Sequence, residues 1–145
     1  MKGVAALCEA QGEALRRALA VAFGDEALAT RCTATAFLRA RRRWRVVSAE
    51  ADPMAWIDVT AVRRARRRLD RLQRDAPAAG DVLAGLGTRA RVAVVLHAHR
   101  GRSVEEVAGA LATSRTDVEA LLRDAYCTLG VVDVVIEDAE LPYAR

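Results

Sequence analysis

The chain has 145 residues and a formal net charge of +4, with 52% hydrophobic residues and only 4% aromatic ones. A chain of this length can bury a core as one domain or as two small ones. Abundant alanine with few glycines and prolines argues against a β-sandwich or β-barrel, so we predict an all-α fold. No stretch is apolar for long enough to cross a bilayer and the first residues do not resemble a signal peptide, so we expect a cytoplasmic protein.

The charge is divided unevenly between two halves. Residues 1–74 contain 16 Lys and Arg against 8 Asp and Glu, a balance of +8, whereas residues 75–145 contain 7 against 11, a balance of −4. Such a division indicates that the halves have different partners or that they attract one another.

Two helices are predicted in the first 43 residues. Apolar residues recur at helical spacing over residues 4–22, and Gly24 stops this helix. Asp25 then caps a second helix, over about residues 26–43, which ends in a run of arginines. Trp44, Val46 and Val47 lead into a loop, which we predict over residues 48–52.

The next helix, predicted over residues 53–74, has two contrasting sides. Its apolar stripe consists of Met54, Ile57, Ala61, Ala65, Leu69 and Leu72. Away from the stripe stand seven arginines, which are Arg63, Arg64, Arg66, Arg67, Arg68, Arg71 and Arg74. A solvated face that keeps the protein soluble is the alternative, but so many guanidinium forks, with only Asp70 among them, favour a surface that binds phosphates.

The second half is predicted to be helical as well. Residues 75–80 form the only credible linker, and a short helix follows over residues 82–86. Thr88 is expected to cap a helix in which residues 92–96 are apolar on every side, so this helix should be central and buried.

A helix-turn-helix is predicted next. Ser103 and Glu106 have the spacing of a capping box for a helix over residues 104–111. A tight break at residues 112–114 precedes a last helix to about residue 129, and two helices joined by so short a turn on a buried third form this motif. Residues 131–145 could be a strand, a docked arm or an acidic tail.

No catalytic or metal-binding pattern is present in the sequence. The three cysteines, Cys8, Cys32 and Cys127, are far apart and lie in helical patterns, so buried reduced thiols are expected. His97 and His99 are two residues apart and should point to different sides of a helix. We therefore expect no enzyme activity, no metal, no cofactor and no small-molecule substrate.

Three segments together resemble the extracytoplasmic-function sigma factors of bacteria, which direct RNA polymerase to promoters. GDEALATRCTATAFLRARRRW, residues 24–44, is similar to their polymerase-binding helix pair. DPMAWIDVTAVRRARRRLDRL, residues 52–72, is similar to the helix that reads and melts the downstream promoter element. LAGLGTRARVAVVLHAHRGRSVEEVAGALATSRTDVEALLRDAY, residues 83–126, is similar to the helix-turn-helix that reads the upstream element.

The resemblance implies two small helical bundles, residues 1–74 and 81–130, joined by the linker at residues 75–80 and followed by an acidic tail. It implies a non-catalytic protein that binds RNA polymerase core, promoter DNA or both. The DNA-binding residues would be Arg63, Arg64, Arg66, Arg67, Arg71, Trp56, Arg115 and Arg123. The polymerase-binding residues would be Arg31, Thr35, Phe37, Leu38 and Arg41. Trp56 would anchor the basic helix. A tryptophan in this position is more often part of the core than a platform on which a base stacks.

Two departures from the family pattern leave a second interpretation open. Thr30, Arg31, Ala34 and Thr35 stand where the family has acidic and glutamine residues, which should weaken docking to a basic polymerase surface. The recognition helix carries carboxylates at residues 117 and 119, which repel phosphates.

The linker supports the same interpretation, because six residues span only ~20 Å and a turn of DNA is about 34 Å. The two bundles should therefore pack together. The alternative function is a sigma-like module that has lost promoter reading and binds a sigma factor, an anti-sigma factor or another protein.

Overall fold

The structure, a computed structural model, describes residues 3–72 and 86–130, without the side chains of residues 69–72. Every regular element in these two ranges is helical, which confirms the predicted all-α fold. The helices are α1 (Val4–Phe23), α2 (Glu26–Arg42), α3 (Trp44–Val47), α4 (Pro53–Leu72), α5 (Thr88–Val94), which continues as a π-helical turn (Val95–His99), α6 (Val104–Leu111) and α7 (Arg115–Thr128).

The hairpin of α1 and α2 is set by two adjacent capping residues. Gly24 has the left-handed φ of 68° and ends α1, with its N–H donating to the carbonyl of Ala20. The side chain of Asp25 accepts from the N–H of Leu28 at 3.0 Å and so begins α2. Both caps were predicted, and the two helices that they end and begin pack against each other.

The segment that leads into the predicted loop at residues 48–52 contains a further short helix. Residues Trp44–Val47 form α3, a single helical turn, in which Val47 is fully buried and Trp44 is half-buried. Burial of these two side chains explains the turn. A four-residue helix is too short to show helical periodicity, so the sequence did not reveal it.

The helix-turn-helix is confirmed in detail. The hydroxyl of Ser103 accepts from the N–H of Glu106 at 3.1 Å, and the carboxylate of Glu106 accepts from the N–H of Ser103 at 2.9 Å. This is the predicted capping box of α6. Ala112 takes the left-handed φ of 53° in the turn, and Ser114 then caps α7.

The start of α5 differs from the prediction, because Gly87 is its N-cap and Thr88 is its first residue and is buried. Burial of the Thr88 side chain takes it away from the position of a cap. Residues 92–96 are buried, as expected of a central helix. Leu86 lies outside any helix, and the rest of the predicted short helix, the linker at residues 75–80 and the tail at residues 131–145 lie outside the described residues.

The two bundles share one hydrophobic core. It includes Leu19 of α1, Ile57 of α4, Leu96 of the π-helical turn and Leu122 of α7, all fully buried. Helix α4 packs against α6, and α1 packs against α5. The prediction that the bundles pack together is therefore confirmed. No helix in the described ranges is both long and apolar enough to span a membrane.

The ion pairs between the bundles run opposite to the net charges of the halves. Asp58 of α4 is fully buried and accepts two hydrogen bonds from Arg100, each 3.1 Å long, while Arg102 lies 3.2 Å from it. Asp52 also pairs with Arg102 at 2.8 Å. We expected the basic first half to attract the acidic second half, but these ion pairs have the opposite polarity. Acidic residues of the first half meet basic residues of the second.

Burial dominates the electrostatics of this network. It raises the pKa of Asp58 above its ordinary value, although the hydrogen bonds and charge of Arg100 act in the opposite direction. A buried carboxylate of this kind is tolerated only because two guanidinium groups compensate its charge. We call Asp52, Asp58, Arg100 and Arg102 the interface ion cluster.

The cysteine prediction is wrong at two of three positions. Cys32 is buried, but Cys8 and Cys127 are exposed, because they lie on the solvent sides of α1 and α7. All three are free thiols. The two histidines do point to different sides, since His97 is fully buried and His99 is exposed.

Candidate nucleic-acid interface

The predicted stripe of α4 is its buried side. Met54, Ile57, Ala61 and Ala65 are all less than 10% exposed, and Ile57, Ala61 and Ala65 are fully buried. The side chains of Leu69 and Leu72 lie outside the described residues. The stripe fixes the rotation of α4, and hence which residues face solvent.

The arginines of α4 point away from the core. Arg63, Arg64, Arg66, Arg67 and Arg68 are all exposed. Within residues 3–72 and 86–130 none of them forms an ion pair with a carboxylate. The side chain of Arg71 and the whole of Arg74 lie outside the described residues. Five guanidinium groups of one helix are therefore available to an anionic partner.

Helix α2 adds further arginines to this surface. A cleft of about 740 Å³, which we call the basic cleft, lies between the end of α2 and the middle of α4. The lining residues are Arg39, Arg42, Arg43, Trp56, Thr60, Arg63, Arg64, Arg66 and Arg67. Seven of these nine residues are arginines, so the cleft has a strongly positive potential.

Small side chains allow the two helices to come close at this point. Ala36 and Ala40 of α2 and Ala61 and Ala65 of α4 are all fully buried. Side-chain size at a helix contact sets the distance between the helix axes. The arginine-rich end of α2 therefore lies beside the arginine-rich middle of α4.

Trp56 is half-buried and packs against the core, while it also lines the basic cleft. A second hollow of about 360 Å³ adjoins it, lined by Glu50, Ala51, Asp52, Ala55, Trp56, Val59, Thr60, Arg63, Glu106 and Gly109. Trp56 is thus partly core, as predicted, and partly accessible from the cleft, which leaves its role as a platform for a base a prediction.

Four of the five predicted polymerase-binding residues are at least partly exposed, and the fifth is buried. Arg31, Leu38 and Arg41 are exposed, and Leu38 keeps 54% of its surface in solvent. Thr35 is partly exposed, whereas Phe37 is only 6% exposed and belongs to the core. Phe37 therefore holds α2 in place and is not part of an accessible surface.

Arg115 and Arg123 of α7 are not among the residues that line the basic cleft. Arg115 pairs with Glu105 at 2.9 Å and with Glu119 at 2.6 Å, so its charge is compensated by carboxylates. Arg123 is exposed. The structure thus groups Trp56 with the arginines of α4 and leaves the two arginines of α7 apart from them.

Four residues of the basic cleft were missed as site residues in the sequence. The run of arginines at residues 39–43 was visible, but its members Arg39, Arg42 and Arg43 gained a role only once α2 was placed against α4. Thr60 offered no signal beyond lying one turn after Trp56, which puts both on the same side of α4.

No protein-family model, curated protein or solved structure matches this chain. The grounds for a function are therefore the residues and geometry of the basic cleft.

Proposed function

We propose that the protein is a non-catalytic, sigma-like transcription protein of the cytoplasm. It would bind promoter DNA, RNA polymerase core or both, with DNA contacts mainly through α4 and the basic cleft. The observation that carries the proposal is the convergence of seven arginines from two helices on one cleft. None of the seven pairs with a carboxylate in the described part of the chain.

Arginine is suited to this role because its planar guanidinium group binds two phosphate oxygens at once and remains charged at cellular pH. Each phosphate that is neutralised releases counterions from the DNA, which supplies much of the affinity of protein–DNA complexes. Contacts of this kind fix position on DNA without reading its sequence.

The packing of the two bundles limits how the protein would use DNA. The interface ion cluster and the shared core hold α6 beside α4. The second bundle is therefore fixed against the first and is not free to bind a distant DNA element. The first half would therefore make the DNA contacts by itself. The carboxylates of α7, including Asp117 and Glu119, favour this assignment because they repel phosphates.

A DNA-binding titration at several salt concentrations tests the proposal. Replacing Arg63, Arg64 and Arg67 by Ala should weaken binding to every sequence and reduce the slope of log K against log salt by about 3, at about 0.9 for each lost contact. Replacing Arg17, Arg45 and Arg123 by Ala removes the same charge from exposed positions outside both α4 and the cleft and should change the slope little. Equal losses in the two triple variants would contradict the proposal.

The two arginines of α7 provide a second comparison. Replacing Arg115 and Arg123 by Ala should leave DNA affinity within about twofold of the unmodified protein, because Arg115 is already paired with Glu105 and Glu119. A loss as large as that of the α4 triple variant would mean that α7 enters the complex.

A second candidate is a sigma-like module that binds a protein in place of promoter DNA. Favouring it are the carboxylates of α7, the closed packing of the bundles and the exposed Leu38 and Arg31 on α2. A pull-down from the protein's own cell extract, scored for polymerase subunits against other proteins, separates the two candidates. A promoter-specific footprint with core polymerase would exclude the second.

A further inference from the structure

The basic cleft continues into the second hollow. Trp56, Thr60 and Arg63 line both concavities, so the two form one trench with the indole of Trp56 at the junction. Their volumes, about 740 and 360 Å³, are in the range of small-molecule sites.

The sign of the charge changes along this trench. On one side of Trp56 it is lined by arginines, and on the other by Glu50, Asp52 and Glu106. Asp52 pairs with Arg102, and Glu106 accepts from the N–H of Ser103 in its capping box. Glu50 is exposed, so it is the carboxylate best placed to meet a ligand.

The floor of the trench is less accessible than its rim. Trp56 and Thr60 are half-buried, whereas the arginines around them are exposed. A DNA duplex presents a convex backbone and would contact the arginines at the rim. A smaller ligand can reach the floor, and there the indole offers a flat apolar face to an aromatic ring.

We propose that the trench binds a nucleoside carrying a chain of phosphates, of the nucleoside triphosphate class. The phosphates would lie among the arginines, the base would stack on Trp56, and Glu50 would accept from an amino group of the base or a hydroxyl of the sugar. An inorganic polyphosphate would occupy only the basic side, because carboxylates beyond Trp56 repel further phosphates. The site goes beyond the proposed function and does not require it. Its ligand would compete with DNA for the same arginines.

Calorimetric titration of the full chain tests the site, with four probes: adenosine triphosphate, guanosine triphosphate, inorganic tripolyphosphate and orthophosphate. Stacking of one base on an aromatic side chain contributes enough to raise affinity at least about fivefold. At least one of the nucleotides should therefore bind at least about fivefold more tightly than tripolyphosphate. Orthophosphate should bind most weakly, since it reaches few of the arginines.

Single variants locate the ligand. Trp56→Leu should reduce nucleotide affinity to that of tripolyphosphate and leave tripolyphosphate unchanged, in a protein whose circular dichroism shows that it is folded. Glu50→Gln changes an exposed side chain and should weaken nucleotide binding while tripolyphosphate binds as before or more tightly. Arg64→Ala should weaken both ligands, and Arg123→Ala, on α7 and outside the trench, should affect neither.

Two results would overturn the site: tripolyphosphate binding as tightly as both nucleotides, or nucleotide affinity unchanged in the folded Trp56 variant and in Glu50→Gln. These results are distinguishable from failure of the proposed function. DNA binding without nucleotide preference removes the nucleotide site alone. Nucleotide binding that persists in a protein without affinity for DNA or polymerase removes the proposed function alone.

Discussion

At the scale of single residues, Asp58 is the buried carboxylate that joins the two bundles. It is fully buried and compensates Arg100 and Arg102, whose side chains are only 9% and 11% exposed. Removing one partner of a buried pair leaves uncompensated charge and costs about 3–5 kcal/mol. Asp58→Asn should therefore lower the free energy of unfolding by about that amount, as measured by urea denaturation.

Asp52→Asn is the matched control for this change. Asp52 has a side chain that is 54% exposed, and the same substitution keeps an oxygen that can cap α4. Exposed ion pairs contribute little, so the cost should be about 1 kcal/mol or less. Equal costs for the two substitutions would contradict the central role of Asp58.

From the sequence one could predict that Asp58 is buried, but not which residues pair with it. Asp58 follows Ile57 on the side of α4 that was predicted to be buried, and a buried carboxylate requires a partner. The partners, Arg100 and Arg102, are more than 40 residues further along the chain, and no local pattern connects them to Asp58. The exposed arginines of α4 were predictable because the stripe alone determines which side faces solvent.

At the scale of elements, the π-helical turn Val95–His99 determines the state of His97. This turn ends α5 and places His97 inside the core, where its Nδ1 lies 2.8 Å from the hydroxyl of Tyr126 on α7. Burial lowers the pKa of His97 below its ordinary value of 6.5. The lowered pKa favours the neutral form of this imidazole, which joins the π-helical turn to α7.

A pH dependence of stability follows from the lowered pKa of His97. As pH falls below about 6.5, the imidazole of the unfolded chain binds a proton more readily than that of the folded chain, so stability decreases. The loss from this one group is at most about 1.4 kcal/mol per pH unit. Urea denaturation at several pH values should show it, and His97→Phe should remove this component.

His99 is the control because it is exposed. His99→Gln should leave the pH dependence as it is in the unmodified chain. Identical slopes for the unmodified chain and the His97 variant between pH 7 and 5 would show that His97 is not the group responsible.

Elements with capping residues were the ones that the sequence predicted best. Asp25 and the pair of Ser103 and Glu106 make their hydrogen bonds within four residues, so local sequence is sufficient to place them. Helix α3 and the π-helical turn have no such signal, because both depend on packing against distant parts of the chain. For the same reason the basic cleft could not be predicted: α2 and α4 were each predicted, but their packing against each other was not.

At the scale of the whole molecule, we expect the shared hydrophobic core to make the two bundles unfold as one cooperative unit. Both tryptophans, Trp44 and Trp56, lie in the first half, so their fluorescence reports on that half, whereas far-ultraviolet circular dichroism reports on the helices of both. Coincident transitions by the two probes are the test of a two-state process. We expect one midpoint in urea for both signals.

DNA should raise that single midpoint without splitting it. A ligand that binds only the folded state stabilises every part of a cooperative unit, including elements that it does not contact. Helices α6 and α7 should therefore be protected by DNA bound to α4, and circular dichroism and fluorescence should shift together. If the fluorescence transition moves to higher urea while part of the circular dichroism signal stays at its original midpoint, the bundles separate on DNA. The interface ion cluster would then be a contact that opens when the protein binds.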